Sequence, residues 1–143
     1  MPNLEPHYTY LAREFAAARA APLSLRKALL VVMLADAYAD RLFAADPEAD
    51  DILVFRDTLA RRSPALALVF DLALPRDNGP RLVIEPVEIP IADYGKLGVA
   101  DFMVSLYNRH TVQRVRIALP DGSLLDVHEV LEAAIAVLGG PRS

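Results

Sequence analysis

Residues 111–138, TVQRVRIALPDGSLLDVHEVLEAAIAVL, constrain the fold more than any other part of the chain. Val115 and Ile117 fall on one face of a strand and Arg114 and Arg116 on the other, the period-2 pattern of a sheet with one buried face. The Pro-Asp-Gly sequence at 120–122 supplies a fixed φ, a side chain that bonds nearby backbone and a residue that tolerates positive φ. We therefore predict a strand, a tight turn and a short returning strand.

A C-terminal helix is predicted directly after this turn. Asp126 is placed to accept a hydrogen bond from the backbone N–H of Glu129 while Glu129 reaches back, an aspartate variant of the capping box. The helix should end before the Gly-Gly-Pro sequence at 139–141. Its buried stripe is predicted to contain the apolar residues that recur at helical spacing, Val130, Leu131, Ala134, Ile135 and Leu138.

Three helices are predicted in the N-terminal part of the chain. The first covers residues 8–20, and Ser24 caps the second. Residues 28–35 of the second helix are apolar on all sides, so we expect this helix to be covered on more than one face, inside the fold or at a subunit contact. The third is expected to open at the Asp-Pro-Glu sequence at 46–48 and to end near the arginines at 61–62.

Two strands are predicted between these helices and residue 111. Ser63 and Pro64 are able to open a further helix, but large apolar residues alternate strictly over 66–74, and this period favours a strand. The turn-rich segment 75–80 then joins it to a second strand at 81–87, which makes a hairpin. Because prolines remove ladder donors, the second strand should lie at an edge of the sheet or end early.

The segment 95–108 allows two interpretations. If the segment is a strand, Phe102, Val104 and Leu106 share one face. If it is a helix, both Phe102 and Leu106 belong to its apolar stripe. Asp101 suits a first turn, and Asn108 is able to end a helix in the left-handed conformation. We therefore predict a helix here.

Together these elements predict an α+β fold. About three N-terminal helices precede two strand-strand-helix units, which form a mainly antiparallel sheet covered by helices. A chain of 143 residues suits a single domain, so residues 1–143 are expected to form one domain, with a helical part at 1–62 and the sheet and C-terminal helix at 63–143.

Composition narrows the possible partners and location. The formal net charge of −4 makes nucleic acid and anionic membranes unlikely partners, because both attract dense positive charge. The longest apolar run, residues 28–35, is far short of the roughly 20 residues that span a bilayer, and the N-terminus does not resemble a signal peptide. Since cysteine is absent as well, we expect a cytoplasmic protein.

Catalytic and metal-binding patterns are weak. Asp36 and Asp40 lie one helical turn apart, the spacing of a carboxylate pair, but an exposed helix face or a neighbouring Arg41 accounts for them more simply. The histidines at 7, 110 and 128 do not have the spacing of metal ligands. We therefore predict no catalytic residue, metal site or cofactor.

A local basic patch is the strongest candidate site. Three arginines and a histidine occur between Tyr107 and Leu119 without an acidic residue, in an otherwise acidic protein, and Lys96 lies upstream. Such a patch suits a carboxylate, a phosphate or an acidic partner surface, unless its arginines pair across the sheet with Glu85 or Glu88. The candidate ligand-binding residues are Tyr94, Lys96, Tyr107, Arg109, His110, Arg114 and Arg116.

Two functional hypotheses follow. The leading one is a non-catalytic, homodimeric protein-interaction or regulatory module, because the apolar inventory is large for one small sheet. The alternative is a binding protein or enzyme for a small anionic ligand, which would use the basic patch around Arg109–Arg116.

Overall fold

The computed structural model describes residues 3–74, 76–88, 101 and 111–140, and the fold within them is α+β. Four helices come first, α1 (Glu5–Arg19), α2 (Leu25–Ala45), α3 (Ile52–Arg62) and α4 (Pro64–Ala73). Three strands and a last helix follow, β1 (Arg81–Glu88), β2 (Thr111–Ala118), β3 (Leu124–Asp126) and α5 (Val127–Leu138). In this part of the chain, every helix is too short or too polar to cross a membrane.

The three strands form an antiparallel sheet in the order β1-β2-β3. Among the described strands β1 pairs with β2 alone, in agreement with the prediction that the 81–87 strand lies at an edge of the sheet or ends early. Within the same part of the chain, β3 pairs with residues 116–118 of β2. Just beyond that point the backbone N–H of Val115 donates to the carbonyl of Pro22 at 3.2 Å, so the loop between α1 and α2 is joined to the sheet beside β3.

The predicted turn between β2 and β3 is confirmed. Gly122 adopts a φ of 89°, and its N–H donates to the Leu119 carbonyl at 2.9 Å. The Asp121 carboxylate accepts from both the hydroxyl and the N–H of Ser123, and these bonds hold the pKa of Asp121 below its usual range. The turn therefore combines a glycine conformation with a local aspartate bond, as the sequence indicates.

The predicted C-terminal helix is also confirmed, with one difference at its start. Asp126 is the capping residue, but its carboxylate accepts from the N–H of His128 at 2.8 Å, one residue earlier than the predicted donor. The helix ends at Leu138 as expected. Its apolar stripe lies against the hydrophobic core, with Leu131, Ala134, Ile135 and Leu138 buried.

α2 lies at the centre of the core. Ser24 caps it as predicted, by accepting from the N–H of Lys27 at 3.1 Å. The helix contacts α1, α3, α4, α5 and β1. Its core-facing side is fully buried, with Ala28, Val31, Val32, Ala35 and Ala39 all inaccessible to solvent.

The prediction of a strand over 66–74 is wrong, because α4 occupies these residues. The Ser63 hydroxyl accepts from the N–H of Leu66 at 3.2 Å, and Pro64 occupies the first turn, where its missing N–H costs nothing. Leu66, Val69 and Leu72 are the buried residues, a helical spacing of three. The predicted hairpin with 81–87 is therefore absent, and the helical part continues through Ala73.

The third helix begins later than predicted. α3 starts at Ile52 and is capped by Asp51, whose carboxylate accepts from the N–H of Leu53 at 2.9 Å. Asp46, the predicted cap, instead accepts from the N–H of Glu48 in a local turn. Arginines do occupy the last turn of α3, as expected.

Gly139 packs closely against the side chain of Tyr8. A Cβ at this position would collide with the ring of Tyr8, which lies 5.7 Å from the ring of Tyr38, centroid to centroid. The Tyr8 hydroxyl donates to the Ile135 carbonyl at 3.4 Å. The absence of a side chain at Gly139 thus lets α1 approach the end of α5.

Gly139→Ala is therefore expected to lower the free energy of unfolding by about 1–3 kcal/mol, the usual cost of overpacking. Chemical denaturation measures it. Gly79→Ala is the matched control, because a Cβ at Gly79 meets its nearest atom at an ordinary 3.5 Å. Tyr8→Ala should reduce the effect of Gly139→Ala, and purely additive effects of the two changes would contradict the packing explanation.

Candidate functional site

The structure describes two of the seven predicted ligand-binding residues, Arg114 and Arg116. Both lie on the face of β2 opposite the buried Val115 and Ile117, as predicted. The other five lie outside the described residues, namely Tyr94, Lys96, Tyr107, Arg109 and His110. The predicted helix over 95–108 also lies outside them except for Asp101, which is helical.

Arg114 forms an ion pair with Asp101, which sequence spacing did not suggest as its partner. Its Nη2 donates to Oδ2 of Asp101 at 2.9 Å, and its Nη1 donates to the Gln113 carbonyl at 2.8 Å. The two side chains are only 22% and 25% exposed, so the pair is partly shielded from solvent. Asp101 therefore compensates much of the positive charge that Arg114 brings to this face. The expected cross-strand acid Glu85 lies opposite Arg114 in register.

Arg116 is held by the returning strand. Its Nη2 donates to the Leu124 carbonyl at 3.1 Å, and Asp126 lies opposite it in register. Its Nε is buried and finds no acceptor among the residues that the structure describes. A buried guanidinium N–H without a partner is costly, so this atom marks the point where an additional acceptor would stabilise the face most.

His128 lies at the start of α5. Its Nδ1 is 3.7 Å from the Asp126 carboxylate. Burial lowers the pKa of His128, and Arg19 and Arg114 act in the same direction, whereas Asp126 and the Ala18 carbonyl act against the shift. The neutral ring is therefore the form that the fold favours.

The pH dependence of stability should show this effect. Because the pKa of His128 is lower in the folded protein, the unfolded chain takes up the proton first as pH falls below its ordinary value of about 6.5. Stability from this group is complete above that pH and is lost as pH falls through the folded pKa. His128→Gln should therefore lose less stability than the wild type between pH 7.5 and pH 5, measured by urea unfolding. Equal losses in the two proteins would contradict the assignment.

Asp36 and Asp40 of α2, for which the sequence favours a structural role, bind Arg56, a residue that their spacing did not suggest. Arg56 of α3 donates to the carboxylates of both Asp36 and Asp40, the latter at 2.8 Å, and also to the Asp36 carbonyl at 3.2 Å. The guanidinium carbon of Arg56 lies 4.1 Å from the ring centroid of Phe70 on α4. This cluster joins three helices. Both carboxylates bind Arg56, so their role is structural and they are not directed at a substrate. Within the described part of the chain, acidic and histidine side chains do not form a group able to hold a metal ion.

The outer face of α2 is uncovered in the single chain, so burial inside the fold does not account for it and a subunit contact is the other setting that we expected. Leu29, Leu30 and Met33 are 40%, 39% and 48% exposed, although they belong to the run that we expected to be covered on more than one face. Helical spacing places them on the side opposite the buried residues. We call this side the α2 outer face, and its exposed residues are Arg26, Leu29, Leu30, Met33, Ala37, Asp40, Arg41 and Ala44.

Comparisons with protein-family models, with curated proteins and with solved structures find no match to this chain.

Proposed function

We propose that this chain is a non-catalytic protein-interaction module that forms homodimers through the α2 outer face. The observation that carries the proposal is the exposure of Leu29, Leu30 and Met33 on a helix whose opposite side is fully buried. Large apolar side chains that are grouped on one exposed face are typical of interaction sites on soluble proteins. A second copy that covered this face would remove its apolar side chains from water. The opposing cost is the entropy that the two chains lose when they associate.

The residue order on the α2 outer face suits an antiparallel two-fold contact centred on Met33. In that arrangement Met33 meets Met33 of the partner subunit, and Leu29 meets the small Ala37 of the partner subunit. Arg26, seven residues before the centre, meets Asp40 of the partner subunit, seven residues after it. Asp40 also binds Arg56 of its own chain, but its side chain stays 53% exposed and is able to accept from a second cation. The same register therefore pairs large with small side chains and positive with negative charge.

The size of this face predicts a weak dimer. From Arg26 to Ala44 the helix rises by about 27 Å, and with a helix diameter of about 10 Å the footprint is roughly 300 Å² per copy. A standard stable interface buries about 800 Å² per partner. We therefore expect a dissociation constant on the order of 10–100 µM unless neighbouring surfaces contribute.

Sedimentation equilibrium over a concentration range that brackets this value tests the proposal. The expected result is a mass that rises from that of the 15.7 kDa chain toward twice that value, reversibly on dilution. A mass that stays at the monomer value across the whole range would overturn the homodimer.

A second candidate function is binding of a small anionic ligand at the arginine face of β2, and it is favoured by the Nε of Arg116, which has no acceptor among the described residues. Because this Nε is inaccessible to solvent, an anion would supply the acceptor only with a movement of the Arg116 side chain that exposes the atom. Titration with phosphate and with citrate tests this function, and Arg116→Met should abolish any binding seen in the wild type. Identical binding by the Arg116→Met protein would rule out this site.

A further inference from the structure

A cleft of 1010 Å³ lies between the start of α1 and the C-terminal ends of α2, α3 and α5, and Arg114 and Arg116 do not line it. Its volume is at the upper end of the range of about 300–1,000 Å³ that is usual for small-molecule sites. Apolar and aromatic side chains form much of its wall, including Tyr8, Tyr38, Leu42, Phe55 and Val137. An aromatic ring of a ligand would find matching surface there.

The polar part of the cleft favours positive charge. Among its described lining residues, Glu5 and Asp46 are acidic and Arg62 is basic. The C-terminal residues of α2 and α5 also line it, and neither helix has a basic residue in its last turn. Two helix ends with negative partial charge therefore point to this region without a cation of their own to balance them.

The aromatic side chains add to this preference. Tyr8 and Phe55 are the partly exposed rings of the cleft, whereas Tyr38 is buried against Tyr8 and Phe55 packs against Phe43 with 5.6 Å between centroids. The face of an aromatic ring attracts a cation, most strongly where water is partly excluded. Two acidic side chains, the C-termini of α2 and α5 and the aromatic rings thus agree in sign, and they outweigh Arg62 and the positive N-terminus of α1 at the same cleft.

We infer that this cleft binds a small organic ammonium ion whose apolar body is about the size of one aromatic ring. The apolar body packs against Tyr8, Leu42 and Phe55, and the ammonium group lies toward Glu5 and Asp46. The inference is independent of the homodimer, because the residues of the α2 outer face do not line the cleft.

The test compares three ligands of similar shape and different charge: phenethylamine, 2-phenylethanol and 3-phenylpropionate. Binding to the wild-type protein is followed by the backbone amide shifts of Gly139 and Gly140, which line the cleft. For ligands of this size we expect phenethylamine to bind in the millimolar range, roughly tenfold more tightly than the alcohol. Equal affinity for amine and alcohol, or tighter binding of the carboxylate, would overturn the inference.

Variants identify the source of the preference. The double variant Glu5→Gln, Asp46→Asn should bind the alcohol as the wild type does and lose most of its preference for the amine. Glu129→Gln is the control, because Glu129 lies in the first turn of α5, at the end of that helix away from the cleft. If the double variant folds poorly, the salt dependence of the wild-type protein gives a second test. We expect its preference for the amine over the alcohol to weaken with added salt. A preference that does not change with salt would contradict an electrostatic site.

Discussion

Replacing Arg56 with alanine is expected to lower the free energy of unfolding by about 2–3 kcal/mol. The guanidinium bonds two carboxylates and a carbonyl of α2 and lies over Phe70 of α4, and its side chain is only 22% exposed. Removing it leaves Asp36 and Asp40 as like charges one turn apart, which adds repulsion to the lost contacts. Urea unfolding of the two proteins measures the difference.

Arg61→Ala is the matched control for this prediction. Arg61 belongs to the same helix and pairs with Asp57 at 2.9 Å, but the two side chains are 81% and 59% exposed. Exposed pairs of this kind contribute about 0.3–0.5 kcal/mol. If Arg56→Ala were no more destabilising than Arg61→Ala, the cluster would not join the three helices in the way that its contacts indicate.

Replacing Met33 with glutamate is expected to weaken self-association by roughly 100-fold, or about 2.7 kcal/mol. In the proposed dimer Met33 meets its own copy at the two-fold axis, so one substitution removes two apolar side chains and brings two negative charges together. The free energy of unfolding of the monomer should change little, because Met33 is 48% exposed. Sedimentation equilibrium and urea unfolding together separate these two outcomes.

The control for Met33→Glu is Leu53→Glu. Leu53 is 75% exposed on α3 and does not belong to the α2 outer face, so the same change of charge and polarity there should leave the dimer intact. Equal weakening by both substitutions would point to net charge rather than to a contact at Met33 as the cause.

Local sequence signals predicted most of the elements that depend on neighbouring residues. The turn at 120–122, the caps at Ser24 and Asp126 and the end of α5 depend on interactions within a few positions, and each is confirmed. A strand was predicted where α4 lies because the residues between its large apolar residues are also mostly apolar. The segment therefore satisfies both a period of two and a helical period. There the cap at Ser63 and the proline after it were the better guide.

The remaining features depend on contacts between distant parts of the chain. Arg56 follows Asp36 by 20 positions, and Arg114 follows Asp101 by 13, so spacing alone did not suggest either pair. The exposed side of α2 could not be read from the sequence either. A segment that is apolar all round does not reveal which side the rest of the chain covers.

Met33→Cys is a direct probe of the proposed homodimer centred on Met33. The natural chain has no cysteine, so the introduced thiol can form a disulfide only with a second copy. Antiparallel helices about 8–10 Å apart bring the Cα atoms of facing residues near the range of about 4.4–6.8 Å that a disulfide needs. Under mild oxidation we expect Met33→Cys to form a covalent dimer much faster than Leu53→Cys. Equal rates for the two proteins would contradict the proposed contact.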